Sequence, residues 1–280
     1  MKIISDKFLH FDNIIWQVDA MCSNKCKGCY LQELDWDEFV LPPYIIADQL
    51  SDLFHTGRLM CNQFTISLDK DLCHDDIKRE AVTQLLDTLH TFNKSHITLS
   101  AYDLLGLDCA GYPIRDVDSI AVSKLPSLGY AHSKDPWTSK PMPEIVLQHL
   151  YDKAPLPLSK NMNRMYLLFR KPPLGDRIED LKVKLSDFTT KYYSLLTNRY
   201  NTQMDLCINN IEYKKACHGG IHTATVWPDG SVTGCPYDTY CRYGAHTMEI
   251  PSLLDRFKHV DRLGSPYKIC ALNKKNNGNQ

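Results

Sequence analysis

Three cysteines fall within eight residues near the start of the chain, and they constrain its chemistry more than any other feature. Cys22 and Cys26 are separated by three residues, and Cys26 and Cys29 by two. The run 13–19 just before them is rich in branched and aromatic residues, which predicts a first strand. A short loop with a glycine can turn three sulfurs toward one metal centre, and thiolates favour zinc or iron–sulfur clusters over harder metals. We therefore predict a metal centre on the loop that leaves this strand.

The spacing CxxxCxxC, with Tyr30 directly after it, resembles the signature of the radical S-adenosylmethionine (radical SAM) enzymes. The resemblance implies that Cys22, Cys26 and Cys29 hold a 4Fe–4S cluster. The fourth iron would bind the amino and carboxylate groups of SAM, and Tyr30 would belong to the cofactor site. A reductant such as flavodoxin or ferredoxin is implied as a partner. A zinc knuckle is the alternative, although structural zinc usually takes four ligands in two separated pairs.

The totals describe an ordinary globular protein, in which 43% of 280 residues are apolar and 23% are charged. The net charge of −1 gives no overall attraction to nucleic acid or to an anionic membrane. No apolar run is long enough to span a bilayer, and the first residues lack the apolar segment of a signal peptide. We therefore expect a cytoplasmic protein without a membrane partner. Eleven cysteines, an odd number, then favour metal ligation over a disulfide framework.

Strands and helices alternate along most of the chain. Apolar periodicity predicts strands at 13–19, 63–68, 96–101, 118–123, 164–170 and 203–207. It predicts helices at 44–57, 75–93, 144–151 and 178–196, with a long loop between residues 124 and 143. Such alternation favours βαβ units and a parallel sheet. The predicted fold class is α/β, a partial (β/α)6 barrel over residues 1–206 with its functional face at the carboxyl ends of the strands.

A β-hairpin is predicted where the run 228–230, Pro-Asp-Gly, separates two alternating segments. Cys217 precedes this hairpin and Cys235 ends it. Twelve residues separate Cys217 from Gly230, and four separate Gly230 from Cys235. This spacing resembles the CX9–15GX4C opening of the SPASM and twitch extensions, which hold auxiliary iron–sulfur clusters in many radical SAM enzymes.

The resemblance to the shorter twitch form implies a small C-terminal hairpin-plus-helix domain over residues 207–272, with a second, auxiliary 4Fe–4S cluster. Its predicted ligands are Cys207, Cys217, Cys235 and Cys270, and Cys241 competes for the last place. A hairpin whose cysteines only pack or bind zinc is the alternative. Residues 273–280 have nothing to bury and are predicted to be disordered.

One part of the family pattern is missing. In that family the second strand usually ends in Gly-Gly-Glu, which receives the SAM ammonium group, but residues 67–71 here read Ser-Leu-Asp-Lys-Asp. Asp69 is the predicted substitute acceptor, and a solvated acidic loop is the alternative. Because positions at strand ends would face the ligands, Ser123 is predicted to contact SAM and Arg170 a substrate carboxylate or phosphate. His132, in the long loop, is predicted to face the substrate.

These features predict a radical SAM enzyme that cleaves SAM reductively to a 5′-deoxyadenosyl radical, which abstracts hydrogen from a substrate. Enzymes resembling this one often modify peptides or protein side chains, so that is the leading substrate class, with oxidation, cross-linking or isomerisation as outcomes. The basic, aromatic loop 124–140 favours a second class, radical modification or isomerisation of a hypermodified nucleoside or a DNA or RNA base. A third interpretation is a non-catalytic zinc-binding interaction module.

Overall fold

The computed structural model describes twelve stretches of the chain, and every structural statement below concerns them. They are residues 8–20, 22, 40–69, 75–124, 143–150, 164–168, 183–184, 186–188, 190–192, 201–204, 222–236 and 252–263.

Nine strands form one sheet, and four helices accompany it. The strands are β1 (Leu9–Gln17), β2 (Leu59–Ser67), β3 (His96–Asp103), β4 (Ser119–Lys124), β5 (Glu144–Leu150), β6 (Arg164–Leu168), β7 (Asn201–Met204), β8 (Thr223–Val226) and β9 (Val232–Thr233). The helices are α1 (Pro43–His55), α2 (Asp76–Phe92), α3 (Leu104–Cys109) and α4 (Leu253–Leu263). Residues 183–184, 186–188 and 190–192 are also helical.

The sheet is parallel from β1 to β8, in the order β7-β6-β5-β4-β3-β2-β1-β8-β9. Each of the first seven strands lies beside its neighbour in sequence, and β8 pairs with the other side of β1. Only β9 is antiparallel, because it turns back from β8. The carboxyl ends of β1 to β8 therefore meet at one margin of the sheet, which we call the carboxyl edge. Any loop that leaves a strand there is brought close to the others.

Amphipathic helices cover one face of the sheet. Helix α1 begins with Pro43, whose missing N–H costs nothing in the first turn, and it buries Ile46, Leu50 and Phe54. Phe54 makes an edge-on contact with Phe64 of β2, with the ring centroids 5.7 Å apart. Helix α4 packs beneath the same sheet through Phe257, whose ring lies 5.7 Å from that of Phe11 in β1.

The structure confirms an α/β fold with a mostly parallel sheet, and it confirms the hairpin around residues 228–230. The helix predicted at 144–151 is wrong, because Glu144–Leu150 is strand β5 between β4 and β6. Its branched residues suit a strand, and pairing with β4 and β6 on its two sides fixes it as one. The barrel curvature and the division at residue 207 stay predictions, while β8 continues the sheet that begins with β1.

Among the described helices, none is long and apolar enough to cross a membrane.

The turn of the hairpin gives a prediction about stability. Gly230 has a φ of +73°, and a Cβ there would lie 2.5 Å from Arg256 Nη1 and 2.9 Å from Leu41 Cδ1. Gly57 has a similar φ of +65° but open space around its Cβ position. We expect Gly57→Ala to lower the free energy of unfolding by about 1 kcal/mol, the cost of a left-handed backbone. Gly230→Ala should lose about 1–3 kcal/mol more through overpacking.

Urea unfolding of the two variants and the wild type measures both losses. An equal fall in the free energy of unfolding for the two variants would show that Arg256 and Leu41 move aside at no energetic cost. That result would contradict the tight packing around Gly230.

Candidate functional site

Cys22 lies just beyond the carboxyl end of β1, five residues after Gln17. It is half-buried and is a thiol rather than half of a disulfide. A thiol at this edge suits a metal ligand, and a set of three thiolates suits an iron–sulfur cluster. The other predicted residues of this loop, Cys26, Cys29 and Tyr30, lie outside the described residues. Within the described stretches no three His, Cys, Asp or Glu residues gather as a metal site.

A buried carboxylate stands between the ends of β1 and β2. The side chain of Asp19 is 7% exposed, and its Oδ1 pairs with the ammonium of Lys78, which is 8% exposed. Its Oδ2 accepts a hydrogen bond from the backbone N–H of Asp69, with an N···O distance of 2.8 Å. The carbonyl oxygen of Asp19 accepts from the amide of Gln17 at 3.3 Å. One carboxylate therefore joins β1, the loop after β2 and the first turn of α2.

The charges of this cluster influence one another strongly. Burial lowers the pKa of Lys78, but the neighbouring carboxylates of Asp19, Asp69 and Asp75 raise it more, so the net shift is upward. Burial also raises the pKa of Asp19, which the Lys78 ammonium opposes. Asp75 lies 3.7 Å from the Lys78 ammonium and caps α2 by accepting from the Lys78 N–H. The helix start and the ion pair are thus one unit.

The phenol of Tyr112 is buried within the influence of the same charges. Its pKa is raised, first by burial and then by the negative charges of Asp19, Asp75 and Asp69. The hydroxyl is inaccessible to solvent and has no hydrogen-bond partner among the described residues. The phenol stays neutral at physiological pH, because both influences oppose its ionisation.

The face of the sheet opposite α1 and α2 is largely polar along β2 to β5, from the amino ends of these strands to the carboxyl edge. We call this the polar face; its side chains alternate with core residues along β2 to β5 and include Thr65, Ser67, Thr98, Ser100, Ser119 and Gln148. Hydrogen bonds cross from strand to strand, with Thr98 Oγ1 to Ser119 Oγ at 2.8 Å and Ser100 Oγ to Gln148 Oε1 at 3.4 Å. Arg164 and Glu144 form an ion pair on this face at 2.6 Å. A closed, filled barrel would instead have bulky apolar residues here.

Two predicted cofactor residues are described. Asp69 lies two residues beyond β2 and is 8% exposed, and its carboxylate raises the pKa of Lys78. Ser123 is exposed, near the end of β4, and its alternation with buried Val122 puts it on the polar face. Both lie at the carboxyl edge, and their roles toward SAM stay predictions. Arg170 and His132 lie outside the described residues.

The hairpin directs its last cysteine away from the carboxyl edge. Its turn at 228–230 follows β8, whose end lies at that edge, and β9 then runs back. Cys235 comes two residues after β9, is half-buried, and its carbonyl accepts from Thr233 Oγ1 at 2.9 Å. The start of β8 pairs with Asn13, so the base of the hairpin lies level with the middle of β1 and below the carboxyl edge. The other predicted auxiliary ligands lie outside the described residues: Cys207, Cys217, Cys241 and Cys270.

The sequence reasoning missed Asp19 and Lys78. Lys78 had a detectable signal, since it lies on the same helical stripe as Ala81, Val82 and Leu85, all buried. A lysine on an apolar stripe needs a buried partner, because an unpaired ammonium is costly to desolvate. Asp19 is the first acidic residue after the apolar end of β1. Neither position in the sequence predicts that the other residue is its partner, so the ion pair can be recognised only in the folded structure.

Some solved structures resemble the chain, whereas the other comparisons found no match. No protein-family model matches the chain, and no curated protein matches it. Among solved structures, that of BtrN in complex with AdoMet and 2-DOIA resembles the chain with a TM-score of 0.41 and 13% sequence identity. The alignment covers 92% of this chain and 89% of the BtrN chain. A likeness at this TM-score does not by itself assign a family or a ligand.

The buried pair gives a second prediction about stability. Lys78→Met leaves the Asp19 carboxylate buried without its cation, so we expect the free energy of unfolding to fall by about 3–5 kcal/mol at neutral pH. A carboxyl whose pKa is raised in the folded state binds its proton more tightly there than in the unfolded chain. The loss should therefore shrink as pH falls toward the pKa of Asp19. Urea unfolding at neutral and mildly acidic pH measures both effects.

His222→Ala is the control, because it removes a hydrogen bond to Asp12 between side chains that are about half exposed. Its effect should stay within about 1 kcal/mol. A similar small loss for Lys78→Met would contradict the buried ion pair.

Proposed function

We propose that this chain is a radical SAM enzyme. The observation that supports the proposal most is the spacing of Cys22, Cys26 and Cys29, combined with the position of Cys22 just past the first strand of a parallel sheet. Ligands of open α/β sheets bind beyond the carboxyl ends of the strands. Three thiolates at that edge can hold an iron–sulfur cluster and leave one iron open for SAM.

A bound cluster of this kind supplies the electron that cleaves SAM to methionine and a 5′-deoxyadenosyl radical. The protein's own task is to bind, orient and exclude water. Asp69 is proposed to accept a hydrogen bond from the SAM ammonium group and Ser123 to contact the same ligand, because both lie at the carboxyl edge. A positive ammonium is favoured there, since the carboxylates of Asp19, Asp69 and Asp75 outnumber the one ammonium of Lys78.

The polar face favours a substrate rich in hydrogen-bonding groups. Its hydroxyl and amide side chains can each donate and accept, and the hydroxyls of Ser67 and Ser100 are partly accessible. The leading class is a peptide or protein side chain, held through its backbone amides. A nucleoside or nucleic-acid base is the second candidate, favoured by the same neutral polar groups. An aliphatic substrate would leave these groups unpaired, which is unfavourable.

The reaction class can be tested without knowing the substrate. Anaerobically reconstituted protein incubated with SAM and dithionite should release 5′-deoxyadenosine, detected by chromatography and mass spectrometry. Replacing Cys22, Cys26 and Cys29 together by Ala should abolish this release, because no ligand for the cluster remains. Cys109→Ala is the matched control, since Cys109 is exposed and outside the motif. Its release should equal that of the wild type.

Two results would overturn the proposal. One is release that survives in the triple alanine variant. The other is a colourless wild type that contains stoichiometric zinc and no iron, which would support a zinc-binding interaction module.

We further propose an auxiliary cluster at the base of the hairpin, with Cys217 and Cys235 as ligands, and Cys207, Cys270 or Cys241 completing the set. Because β9 runs back from the carboxyl edge, Cys235 lies level with the middle of β1, which supports a second cluster separate from the one at Cys22. A cluster set back from the carboxyl edge suits an electron acceptor better than a group that binds the substrate. Burial and ligand type would set its reduction potential.

The iron content tests this second cluster. Wild type reconstituted anaerobically should carry about eight irons per chain, four for each cluster. Replacing Cys217 and Cys235 by Ala should remove about half of that iron and leave some reductive SAM cleavage, since Cys22, Cys26 and Cys29 are intact. Iron content equal to that of the wild type would refute the auxiliary cluster while leaving the first proposal in place.

A further inference from the structure

We propose that Asp19 is a positioning residue: held by Lys78, it fixes Asp69 relative to the loop that begins at Cys22. The inference rests on the proposed function, because its consequence is the geometry offered to SAM. It adds two residues that the cysteine motif does not include. Asp19 lies two residues beyond β1 and Lys78 in the first turn of α2, and these segments meet only in the folded chain.

The position of the bond to Asp69 supports this role. Regular pairing between β1 and β2 ends with Val18, whose N–H donates to the Ser67 carbonyl at 3.0 Å. Leu68 then turns to β3, donating to the Ser100 carbonyl at 2.8 Å. Past this point, the bond from Asp69 N–H to Asp19 Oδ2 continues the connection between the two chain segments. The Asp19 side chain thus takes the place of backbone pairing at the point where the loops after β1 and β2 begin.

The orientation of the Asp19 carboxylate is fixed at both oxygens. Lys78 holds Oδ1, and the Asp69 N–H holds Oδ2. Lys78 is itself anchored, because its backbone N–H is bonded to the cap residue Asp75 at the start of α2. All three charged side chains of the connection, those of Asp19, Lys78 and Asp69, are more than nine-tenths buried. Rotation of the carboxylate would break two buried interactions at once, so the loop after β2 has a defined place.

Folding alone does not require the ion pair of Asp19 and Lys78. A buried ion pair replaced by apolar residues of similar size is often as stable as the original. What an apolar pair cannot supply is an acceptor for the Asp69 N–H. Two double variants separate these contributions. D19N/K78M keeps an acceptor oxygen at residue 19, and D19L/K78M does not, while both remove the two charges.

The experiment measures SAM binding by calorimetry on anaerobically reconstituted protein, together with iron content and thermal unfolding. We expect D19N/K78M to bind SAM nearly as the wild type does. D19L/K78M should bind it about tenfold more weakly or worse, because a misplaced binding group loses much of its effect. Iron content should be the same in both variants. If the D19L/K78M chain does not fold, D19S/K78M takes its place, since serine is too short to reach the Asp69 N–H.

Each result decides between the proposals. If the wild type binds SAM and D19L/K78M binds it equally well, the positioning role is overturned and the proposed function stands. If both double variants lose affinity equally, the charge of Asp19 matters and its bond to Asp69 does not, which also overturns the inference. If the wild type carries its cluster but binds no SAM, the proposed function fails and this inference fails with it.

Discussion

Strand β1 depends on parallel partners on both of its sides, and the rest of the molecule depends on β1. It pairs with β2 along its whole length and with β8 over its second half. Trp16 and Ile14 are fully buried on the helix side. A strand enclosed in this way ends at a well-defined point. The loop that carries Cys22 therefore starts from a rigid base, which a metal centre needs because ligand geometry must be held closely.

The two faces of the sheet differ in chemistry: one is apolar and packs against the helices, and the other is polar. Side chains toward α1, α2 and α4 form a continuous apolar core. Side chains on the polar face are hydroxyls and amides that bond to one another across the strands. The apolar face supplies most of the stability, since burial of apolar area is the main favourable term. The polar face contributes little apolar burial, and the ion pair of Asp19 and Lys78 lies at the carboxyl edge.

Much of this arrangement could be predicted from sequence. Helices α1 and α2 and the strands around them carry long periodic patterns, so their existence and order were readable. The run 144–150 was predicted wrongly as a helix, because seven residues of mixed polarity fit the period of a helix as well as that of a strand. Only the pairing with β4 and β6 decides for the strand. The resemblance to the twitch form implied a helix within residues 207–272, but the bounds of helix α4 were not predicted. Its charged surface residues dilute the apolar stripe of Leu253, Phe257 and Val260, which is visible only against β1 and β9.

The site was predictable to a smaller extent. The three cysteines and the hairpin turn are local patterns, in which the chemistry follows from spacing along the chain. The pairing of Asp19 with Lys78 spans two elements, so no spacing rule applies to it. Ser123 was chosen because strand ends share one edge in any parallel sheet, and Asp69 because it stands where the Gly-Gly-Glu motif would lie; both roles stay predictions. Residue type alone does not predict the exposure of Cys109. Cysteine is usually buried, but this one is exposed at the end of α3.

The place of β8 affects how the chain reaches its folded state. Residues Asn13 and Thr223 are paired in the sheet although some two hundred positions separate them in the chain. During synthesis β1 can pair with β2 early, but its other side stays open until β8 has been made. An open side of an apolar strand is a template for pairing with other chains, and contacts so distant in sequence form slowly. The seam between β1 and β8 therefore closes later than the seam between β1 and β2.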